Sequence, residues 1–357
     1  MGAPMNSDHF YACVLAGGTG ERFWPMSRAR KPKHLLKLLS ERTLLEETVR
    51  RLDGVVPAGN ILVLTSEAQA GDVRAALPHL PATQIVAEPA RRDSGPAAAL
   101  ATGLVRARDP DAVVALLAAD ASIHDSGRFA EQLRAALAWA AANPELLTFG
   151  IKPRFPATGF GYLELAEELG RNAGGVFRRV RRFVEKPDAA TAQRYVDAGN
   201  FAWNASIFVW QAEVFLAEAA RQAPALAAFV REFPQGDFSD YLATRFPGLA
   251  RISVDYAIME QASRVAAIVS EFDWDDVGTW TALPGHLHPD AAGNTVRGKV
   301  VAVDSTNNIA ISNGRVIALC GVKDLVVVET PDAILVCHRD AVQDLKKLQP
   351  LLPKEVL

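Results

Sequence analysis

Residues 14–33 read VLAGGTGERFWPMSRARKPK, a short apolar strand that runs into a glycine turn and then into a basic loop. Because glycine lacks a Cβ atom, the backbone at Gly17, Gly18 and Gly20 can bend tightly and direct its N–H groups at an anion. An ordinary strand-to-helix turn would use the glycines without needing nearby charge. The loop that follows them is rich in cations and includes Arg22, Arg28, Lys31 and Lys33. The stretch therefore predicts a phosphate-binding loop at the end of a strand.

Two well-known glycine loops do not fit this stretch. A Walker A loop requires Lys-Ser or Lys-Thr after its glycines, and neither dipeptide is present there. A dinucleotide fingerprint requires a third small residue, but counting from Gly18 that position holds Phe23, which is too bulky for close packing of helix on strand. These mismatches argue against a P-loop NTPase and against an NAD-dependent dehydrogenase.

Composition limits the class of protein. A chain of 357 residues with 49% hydrophobic and 22% charged residues is typical of a globular protein of about two domains. The net charge of −3 gives no general attraction to nucleic acid or to an anionic membrane, and no run approaches the ~20 apolar residues of a spanning helix. We therefore expect a cytoplasmic protein with a small anionic ligand. The cysteines, Cys13, Cys320 and Cys337, lack metal-site spacing, and we expect them to be reduced and buried.

The order of the predicted elements indicates an α/β fold. Short apolar runs alternate with amphipathic stretches from Tyr11 to about Pro153, which predicts a parallel sheet with helical crossovers. Ligands of such sheets bind at the carboxyl ends of the strands, where Gly17, Glu88 and Asp120 fall. Further helices are expected at 189–198 and 212–233. After Pro284 the sequence consists of short β-branched runs, so we divide the chain into domains 1–286 and 287–357.

Two acidic segments contain candidates for binding a metal ion. Asp120 closes the apolar run AVVALLAAD, where an aspartate is equally common as a helix cap. Asp275 and Asp276 form a pair in FDWDDVGTW, which could also be a solvated turn. If one of this pair meets Asp120 in the fold, the two carboxylates suit Mg²⁺, which prefers oxygen ligands and bridges phosphates.

Two further motifs suggest a second substrate, and a third suggests contacts to the base or ribose of a nucleotide. Lys186 follows Glu185 at the end of the strand FVEKP; the pair is either a surface ion pair or a grip on a phosphate and on hydroxyl groups. Asn204 lies on the apolar strand FAWNASIFVW, where its amide needs a partner that a backbone carbonyl or a sugar hydroxyl could supply. The segment EPARRDSGP, residues 88–96, offers either helix capping or contacts to a base and ribose.

Together these segments resemble the bacterial mannose-1-phosphate guanylyltransferases, also called GDP-mannose pyrophosphorylases, within the sugar-phosphate nucleotidyltransferases. The family signature GGxGxRxWPxSRxxxPKxxL is matched by GGTGERFWPMSRARKPKHLL. Further matches, in the same order, are EPARRDSGPA, TGFGYLE, FVEKP, WNASIFVW, SVDYAIMEQA and WDDVGTW, and the tail from VKDLVVVETP onwards is also similar. Seven ordered motifs are far more specific than any one of them.

The resemblance implies a Rossmann-like nucleotidyltransferase domain, of the nucleotide-diphospho-sugar transferase kind, and a C-terminal domain that is left-handed β-helix-like. It implies an enzyme that uses GTP, α-D-mannose 1-phosphate and Mg²⁺ to make GDP-mannose and pyrophosphate, and it leaves room for a homodimer. The implied nucleotide-binding residues are Leu15, Ala16, Gly17, Gly18, Gly20, Glu88, Arg92 and Ser94. The implied catalytic residues are Arg22 and Lys33 on the triphosphate and Lys186 on the sugar phosphate. Sugar binding is implied for Gly161, Glu185 and Asn204, and metal binding for Asp120 and Asp276.

The chain also departs from the family pattern. The family usually has a histidine after the first metal aspartate, where this chain has Ala121. Asp93 and Ser94 replace an Asn-Thr pair, and His34 replaces a glutamine. A related enzyme for another sugar or nucleotide, or a catalytically silent regulatory subunit that binds nucleotide sugar, therefore stays open as an alternative. The signature lysine and the metal aspartates, which a silent subunit would be expected to lose, are present.

Overall fold

The structure is a computed structural model and describes residues 7–18, 20–29 and 31–356. Its first strands are β1 Phe10–Ala16, β2 Ile61–Ser66, β3 Ile85–Glu88, β4 Val113–Ala118, β5 Leu146–Ile151, β6 Gly161–Asn172, β7 Gly175–Glu185, β8 Phe201–Gln211 and β9 Val265–Val269. The later strands are β10 Thr295–Arg297, β11 Val300–Val303, β12 Ile309–Ile311, β13 Ile317–Cys320, β14 Leu325–Glu329 and β15 Ile334–His338. The helices are α1 Leu44–Arg50, α2 Ala70–Ala76, α3 Ser94–Arg108, α4 Ser126–Ala142, α5 Ala189–Ala198, α6 Ala212–Gln222, α7 Pro224–Arg231, α8 Ser239–Arg245, α9 Val254–Ala257 and α10 Leu345–Leu348.

The large sheet has the strand order β3-β2-β1-β4-β8-β5-β9-β7-β6. Strands β3, β2, β1 and β4 are parallel, as the alternating pattern predicts, and Leu15 lies opposite Ala118. The chain leaves β1 and β4 at the same edge, and the N–H of Ala119 continues the ladder by donating to the carbonyl of Leu15 at 3.0 Å. This register brings the glycine loop after β1 beside Asp120.

The expectation of a parallel sheet is wrong beyond β4. Strand β8 lies between β4 and β5 and is antiparallel to both, whereas β5 pairs in parallel with β9. The hairpin β6–β7 completes the far side of the sheet and also contacts β8. A mixed sheet results because the chain returns through β8 after the long hairpin, a pairing that hydrophobic periodicity does not encode.

Apolar side chains are buried on both faces of the large sheet. One face packs against α1 and α4, and the other packs against α3, α6 and α7. Successive residues of β1 alternate between these two cores, with Ala12 and Val14 in one and Tyr11 and Cys13 in the other. Strands covered on both faces read as continuous apolar runs, which is the pattern of YACVLA.

The C-terminal strands form the coils of a β-helix domain, which confirms the predicted fold class. Strand β12 pairs in parallel with β10 and β14, β11 pairs in parallel with β13, and β15 closes the stack by running antiparallel to β14. At a corner of the stack the fully buried Asn308 donates to the side-chain oxygen of Asn294 at 2.9 Å. Buried amides of this kind satisfy the backbone of the turns between coils.

A third apolar core joins the two domains. It contains Phe23, Leu36 and Trp280 from the first domain together with Ile311 and Val328 from the β-helix domain. Phe23 packs edge-on against the fully buried Trp280 with ring centroids 5.0 Å apart. The loop predicted to bind phosphate is therefore packed against the second domain, and the sequence boundary near residue 287 remains a prediction.

Two local expectations need correction. The helix expected over 212–233 is broken at Ala223, because Pro224 starts a second helix and lacks the N–H that an unbroken helix would use. The expected burial of the cysteines holds for Cys13, is wrong for Cys320, which lies on the exposed side of β13, and holds only in part for Cys337, which is half-buried. Crossing a lipid bilayer would take a longer and more apolar helix than any in the described ranges.

Candidate active site

A cavity of about 460 Å³ opens beside the carboxyl ends of β1, β4 and β7. Its size is typical of a small-molecule site. The sequence-predicted residues that line it are Gly20, Arg22, Lys33, Ser94, Asp120, Gly161, Glu185, Lys186, Asn204 and Asp276. Residues from most of the chain therefore converge on one cavity, at the sheet edge that the strand order predicts.

Six predicted nucleotide-binding residues lie outside the lining. Leu15 and Ala16 end β1 within the sheet, Gly17 and Gly18 are exposed beside it, and Glu88 ends β3. The Arg92 guanidinium donates to the carbonyl of Pro247. Their role in binding a nucleotide stays a prediction.

Gly20 allows the signature loop to close on itself. Its φ of 65° lies in the left-handed region, and a Cβ atom there would fall 2.4 Å from the Cβ atom of Lys33 and 2.7 Å from its backbone nitrogen. Only glycine accommodates both conditions without displacing Lys33. The Gly20 carbonyl also accepts a hydrogen bond from the Ser27 hydroxyl at 2.7 Å, which ties the turn to the following loop.

Lys33 connects the two predicted metal ligands. Its ammonium lies 2.9 Å from Oδ2 of Asp120 and donates to the backbone carbonyl of Asp276. Burial opposes ionisation of Asp120, but the charge and hydrogen bond of Lys33 outweigh it, so the Asp120 pKa is lowered. Asp276 receives no such hydrogen bond on its carboxylate; burial, together with the charges of Asp275 and Asp120, raises its pKa. The site therefore holds two close carboxylates, of which one lacks a cationic partner among the described residues.

The loop that carries Asp276 is attached to the Asp120 loop by a short backbone bridge. The N–H of Ser122 donates to the carbonyl of Asp275 at 2.8 Å, and the N–H of Asp275 donates back at 3.1 Å. Asp275 then caps its own turn, because its Oδ1 accepts from the N–H of Val277 at 2.6 Å. Val277 has a φ of 46°, which is rare for a β-branched residue. These contacts explain how two aspartates 156 positions apart in the sequence come together.

The opposite wall of the cavity carries Lys186, Glu185 and Gly161. Lys186 lies 2.6 Å from Oε1 of Glu185, and its side chain is 56% exposed to the cavity and solvent. Partial burial opposes its charge, but the hydrogen bond and charge of Glu185 outweigh it, so the Lys186 pKa is raised. A Cβ atom at Gly161 would fall 2.6 Å from Oε2 of Glu185, so this glycine leaves room for the carboxylate. Lys186 also has a φ of 48°, an uncommon conformation that is often found at binding sites.

Asn204 already has partners within the protein. Its side-chain oxygen accepts from the Thr148 hydroxyl at 2.7 Å and from the N–H of Ser206 at 3.2 Å, and its Nδ2 donates to Asp255 at 3.1 Å. Neither a backbone carbonyl nor a ligand is required for these contacts. The role of Asn204 in sugar binding stays a prediction.

Asp255 is a cavity residue that sequence reasoning missed. Burial and the nearby charge of Glu185 raise its pKa to about 7. It lines the cavity and lies in the motif SVDYAIMEQA, which resembles the family pattern. The sequence therefore indicated the motif but not this residue. Asp93, another lining residue, caps α3 with a φ of 69°, and Ser94 accepts from the N–H of Val254 at 3.0 Å, which joins α3 to α9.

Arg22, Arg28 and Lys31, the other arginine and lysine residues of the signature loop that the structure describes, differ from Lys33. Arg28 forms an ion pair with Asp332 of the β-helix domain at 3.0 Å and lies over the Trp24 ring. Lys31 is exposed and outside the cavity lining. Arg22 remains in the cavity, where its guanidinium donates to the carbonyl of Gly278 at 3.3 Å.

Family models match both domains of the chain. A model described as nucleotidyl transferase matches residues 11–287, and one described as MannoseP isomerase/GMP-like beta-helix domain matches residues 298–350. The mannose-1-phosphate guanylyltransferase of Escherichia coli is 35% identical over 353 residues, which cover 96% of this chain and 73% of that protein. The alginate biosynthesis protein AlgA of Pseudomonas aeruginosa is 35% identical over 93% of this chain and 70% of its own length.

A solved structure shows the same architecture. A crystal structure from Thermus thermophilus, described as a mannose-1-phosphate geranyltransferase, superposes with a TM-score of 0.86 at 32% identity and covers 96% of this chain and 99% of that chain. The likeness thus extends over both domains and includes the segments that build the cavity. The chain is a nucleotidyltransferase that belongs to the mannose-1-phosphate guanylyltransferase family.

Proposed function

We propose that this protein transfers a guanylyl group from GTP to α-D-mannose 1-phosphate and releases pyrophosphate. The observation that carries the proposal is the opposition of two charged walls across one cavity, with Arg22, Lys33 and the aspartates on one side and Lys186 with Glu185 on the other. Such a site can hold a triphosphate and a sugar phosphate facing each other. The name of the Escherichia coli relative, mannose-1-phosphate guanylyltransferase, supports a guanine nucleotide and mannose 1-phosphate as the substrates.

The proposed chemistry is a direct displacement at phosphorus. An oxygen of the sugar phosphate attacks the α-phosphorus of GTP, the bond to the bridging α–β oxygen breaks, and that oxygen leaves with pyrophosphate. Phosphoryl and nucleotidyl transfer depend mainly on positioning and on neutralising charge, so no protein nucleophile is needed. Lys186 would orient the attacking phosphate, and Arg22 and Lys33 would offset charge on the triphosphate.

The residues present fit Mg²⁺. Asp120 and Asp276 supply carboxylate oxygens, and the Asp276 carboxylate, with its raised pKa and without a cationic partner in the described part of the chain, is suited to a cation. A bound Mg²⁺ would neutralise charge on the phosphates. Lys33 holds Asp120 ionised and in place for this purpose.

Fewer residues are available for recognising mannose and guanine than for binding the phosphates and the metal ion. Glu185, Asn204 and Asp255 offer acceptors and one amide to sugar hydroxyls. Glu88 ends β3 and is not among the residues that line the cavity, and burial raises its pKa to about 8. No described residue hydrogen-bonds its side chain, so the carboxyl group is open to a ligand; the two adjacent N–H donors of a guanine would suit its ionised form and would offset the cost of burying the charge.

The test is pyrophosphate release measured over a grid of nucleoside triphosphates and sugar 1-phosphates with Mg²⁺. We expect GTP with mannose 1-phosphate to be among the best pairs and chelation of Mg²⁺ to abolish turnover. A preference for another pair would replace the specific assignment by a related nucleotidyltransferase. Tight binding of nucleotide sugar without turnover of any pair would favour the regulatory subunit instead.

A further inference from the structure

The C-terminal helix α10 contributes one side chain to the catalytic cavity. Lys346 lines the cavity together with Glu21 and Arg22, although it lies more than 300 positions away from them in the sequence. It lies in the family-like tail that begins at VKDLVVVETP, which sequence analysis did not connect with the active site. Its presence there depends on how the β-helix domain packs on the signature loop.

The tail on both sides of Lys346 is held against that loop. Leu345 is buried in the core shared by the two domains. Gln349 donates from Nε2 to the carbonyl of Glu21 at 3.3 Å, and the Trp24 indole donates to the carbonyl of Val356 at 2.8 Å. These contacts fix the backbone of α10, so Lys346 is presented to the cavity from an anchored element.

The cations of the cavity differ in whether a carboxylate already neutralises them. Lys33 is paired with Asp120 at 2.9 Å, and Lys186 is paired with Glu185 at 2.6 Å. The other two cations in the described lining, Arg22 and Lys346, form no ion pair with any described residue. Arg22 belongs to the Gly20–Phe23 turn, and the tail that carries Lys346 is hydrogen-bonded to that turn through Gln349 and the Glu21 carbonyl.

The neighbouring lysine has a different environment. Lys347 is absent from the cavity lining, its side chain is 79% exposed, and it pairs with Asp344 of the same turn at 2.7 Å. Two consecutive lysines of one short helix thus differ in their partners and in the surface that they reach. Lys347 is therefore a matched control for Lys346.

We propose that Lys346 binds the pyrophosphate portion of the nucleoside triphosphate, so that the β-helix domain completes the active site. This inference rests on the nucleotidyltransferase chemistry of the proposed function, because that reaction places three phosphates in the cavity. An unpaired ammonium beside Arg22 is the natural partner for the phosphates that leave. The β-helix domain then has a direct role in substrate binding, and the phosphate loop and Lys346 act from opposite sides of the domain contact.

The experiment measures binding of inorganic pyrophosphate with Mg²⁺, and of GTP and GMP, by calorimetry in the wild type and in Lys346→Ala, Lys346→Arg and Lys347→Ala. We expect Lys346→Ala to weaken pyrophosphate and GTP on the order of 10-fold, since a hydrogen bond between charged groups is lost, and to leave GMP within about 2-fold. Lys346→Arg should retain most of the affinity, and Lys347→Ala should match the wild type. In turnover, the KM for GTP should rise while the KM for the sugar phosphate stays within about 2-fold.

Three results would overturn the inference. The first is that Lys346→Ala binds pyrophosphate as tightly as the wild type does. The second is that Lys346→Ala weakens the binding of GMP as much as that of GTP. The third is that Lys347→Ala loses as much affinity for pyrophosphate as Lys346→Ala does. Pyrophosphate is the product of every reaction of this class, so its binding does not depend on which nucleotide or sugar the enzyme prefers. If the assignment of GTP and mannose 1-phosphate is wrong, the substrate grid will show it. The effect of Lys346→Ala on pyrophosphate binding can still be interpreted in that case.

Discussion

Replacing Gly20 by alanine tests whether the close approach of the signature turn to Lys33 positions the site. The new Cβ atom would lie 2.4 Å from the Cβ atom of Lys33 and 2.7 Å from its nitrogen, more than 1 Å inside ordinary contact for the carbon pair. A left-handed alanine costs roughly 1–2 kcal/mol, and overpacking against backbone adds about 1–3 kcal/mol. We therefore expect Gly20→Ala to lose ~2–5 kcal/mol of unfolding free energy. Because Lys33 must move, its contact with Asp120 at 2.9 Å should be lost and pyrophosphate release should fall on the order of 10²-fold.

Two other glycines provide matched controls. Gly54 has a φ of 68° but its Cβ position is open, so Gly54→Ala should show only the backbone penalty of roughly 1–2 kcal/mol and full activity. Gly18 also faces open space, so Gly18→Ala should keep its stability and weaken GTP binding if the phosphates approach this backbone. Urea unfolding and pyrophosphate release are measured on all variants. Equal stability of Gly20→Ala and Gly54→Ala, with full activity in both, would refute the reasoning.

Three further predictions address the metal site, the buried acid and the domain contact. Asp276→Asn should lower Mg²⁺-dependent pyrophosphate release by about 10²- to 10³-fold with an unchanged circular dichroism spectrum, and near-normal turnover would exclude the metal role. Asp255 has a pKa of about 7 in the folded protein and near 3.8 in the unfolded chain. Between these values the unfolded chain releases the proton that the folded protein retains. The free energy of unfolding of the wild type should therefore fall relative to that of Asp255→Asn as the pH rises from about 4 to 7. Thermal midpoints that differ equally at pH 5 and pH 8 would contradict this pKa. Trp280→Ala should lower the free energy of unfolding by ~3–5 kcal/mol, because the fully buried Trp280 ring lies in the core shared by the two domains. Arg28→Ala loses only a half-exposed ion pair and should cost at most about 1 kcal/mol in the same urea unfolding experiment. A larger loss in Arg28→Ala than in Trp280→Ala would mean that charge rather than packing holds the domains together.

The local parts of the fold follow from short-range patterns. The apolar run before Gly17 forms β1, and the stretch GPAAALATGLVRA forms most of α3, with Asp93 as its cap. Pro224 divides the helix expected over 212–233, although the rule that proline starts helices was available from the sequence. The insertion of β8 between β4 and β5 was not available, because period-two or continuous apolar patterns identify a strand without identifying its neighbours.

In the candidate site, as in the fold, the sequence predicted which residues matter better than how they are arranged. Ten of the predicted residues line one cavity, because their motifs fall at strand ends or in loops that a sheet of this kind brings to one edge. Asp255 was missed because it lies in a four-residue helix, and nothing in the motif SVDYAIMEQA distinguishes it from the other polar residues as a cavity residue. Lys346 was missed because nothing in the dipeptide Lys346-Lys347 indicates which side chain faces the cavity.

The sequence by itself determined the chemical groups of this protein: a glycine turn with cations, two separated aspartates, and a Glu-Lys pair at a strand end, in an order that identifies the family. These are properties of residue type and spacing, which short-range sterics and polarity control. Only the tertiary structure decided which charges neutralise each other, since pairing depends on distance through space and on burial. It pairs Lys33 with Asp120, Lys186 with Glu185 and Arg28 with Asp332, and leaves Arg22 and Lys346 unpaired at the cavity within the described residues.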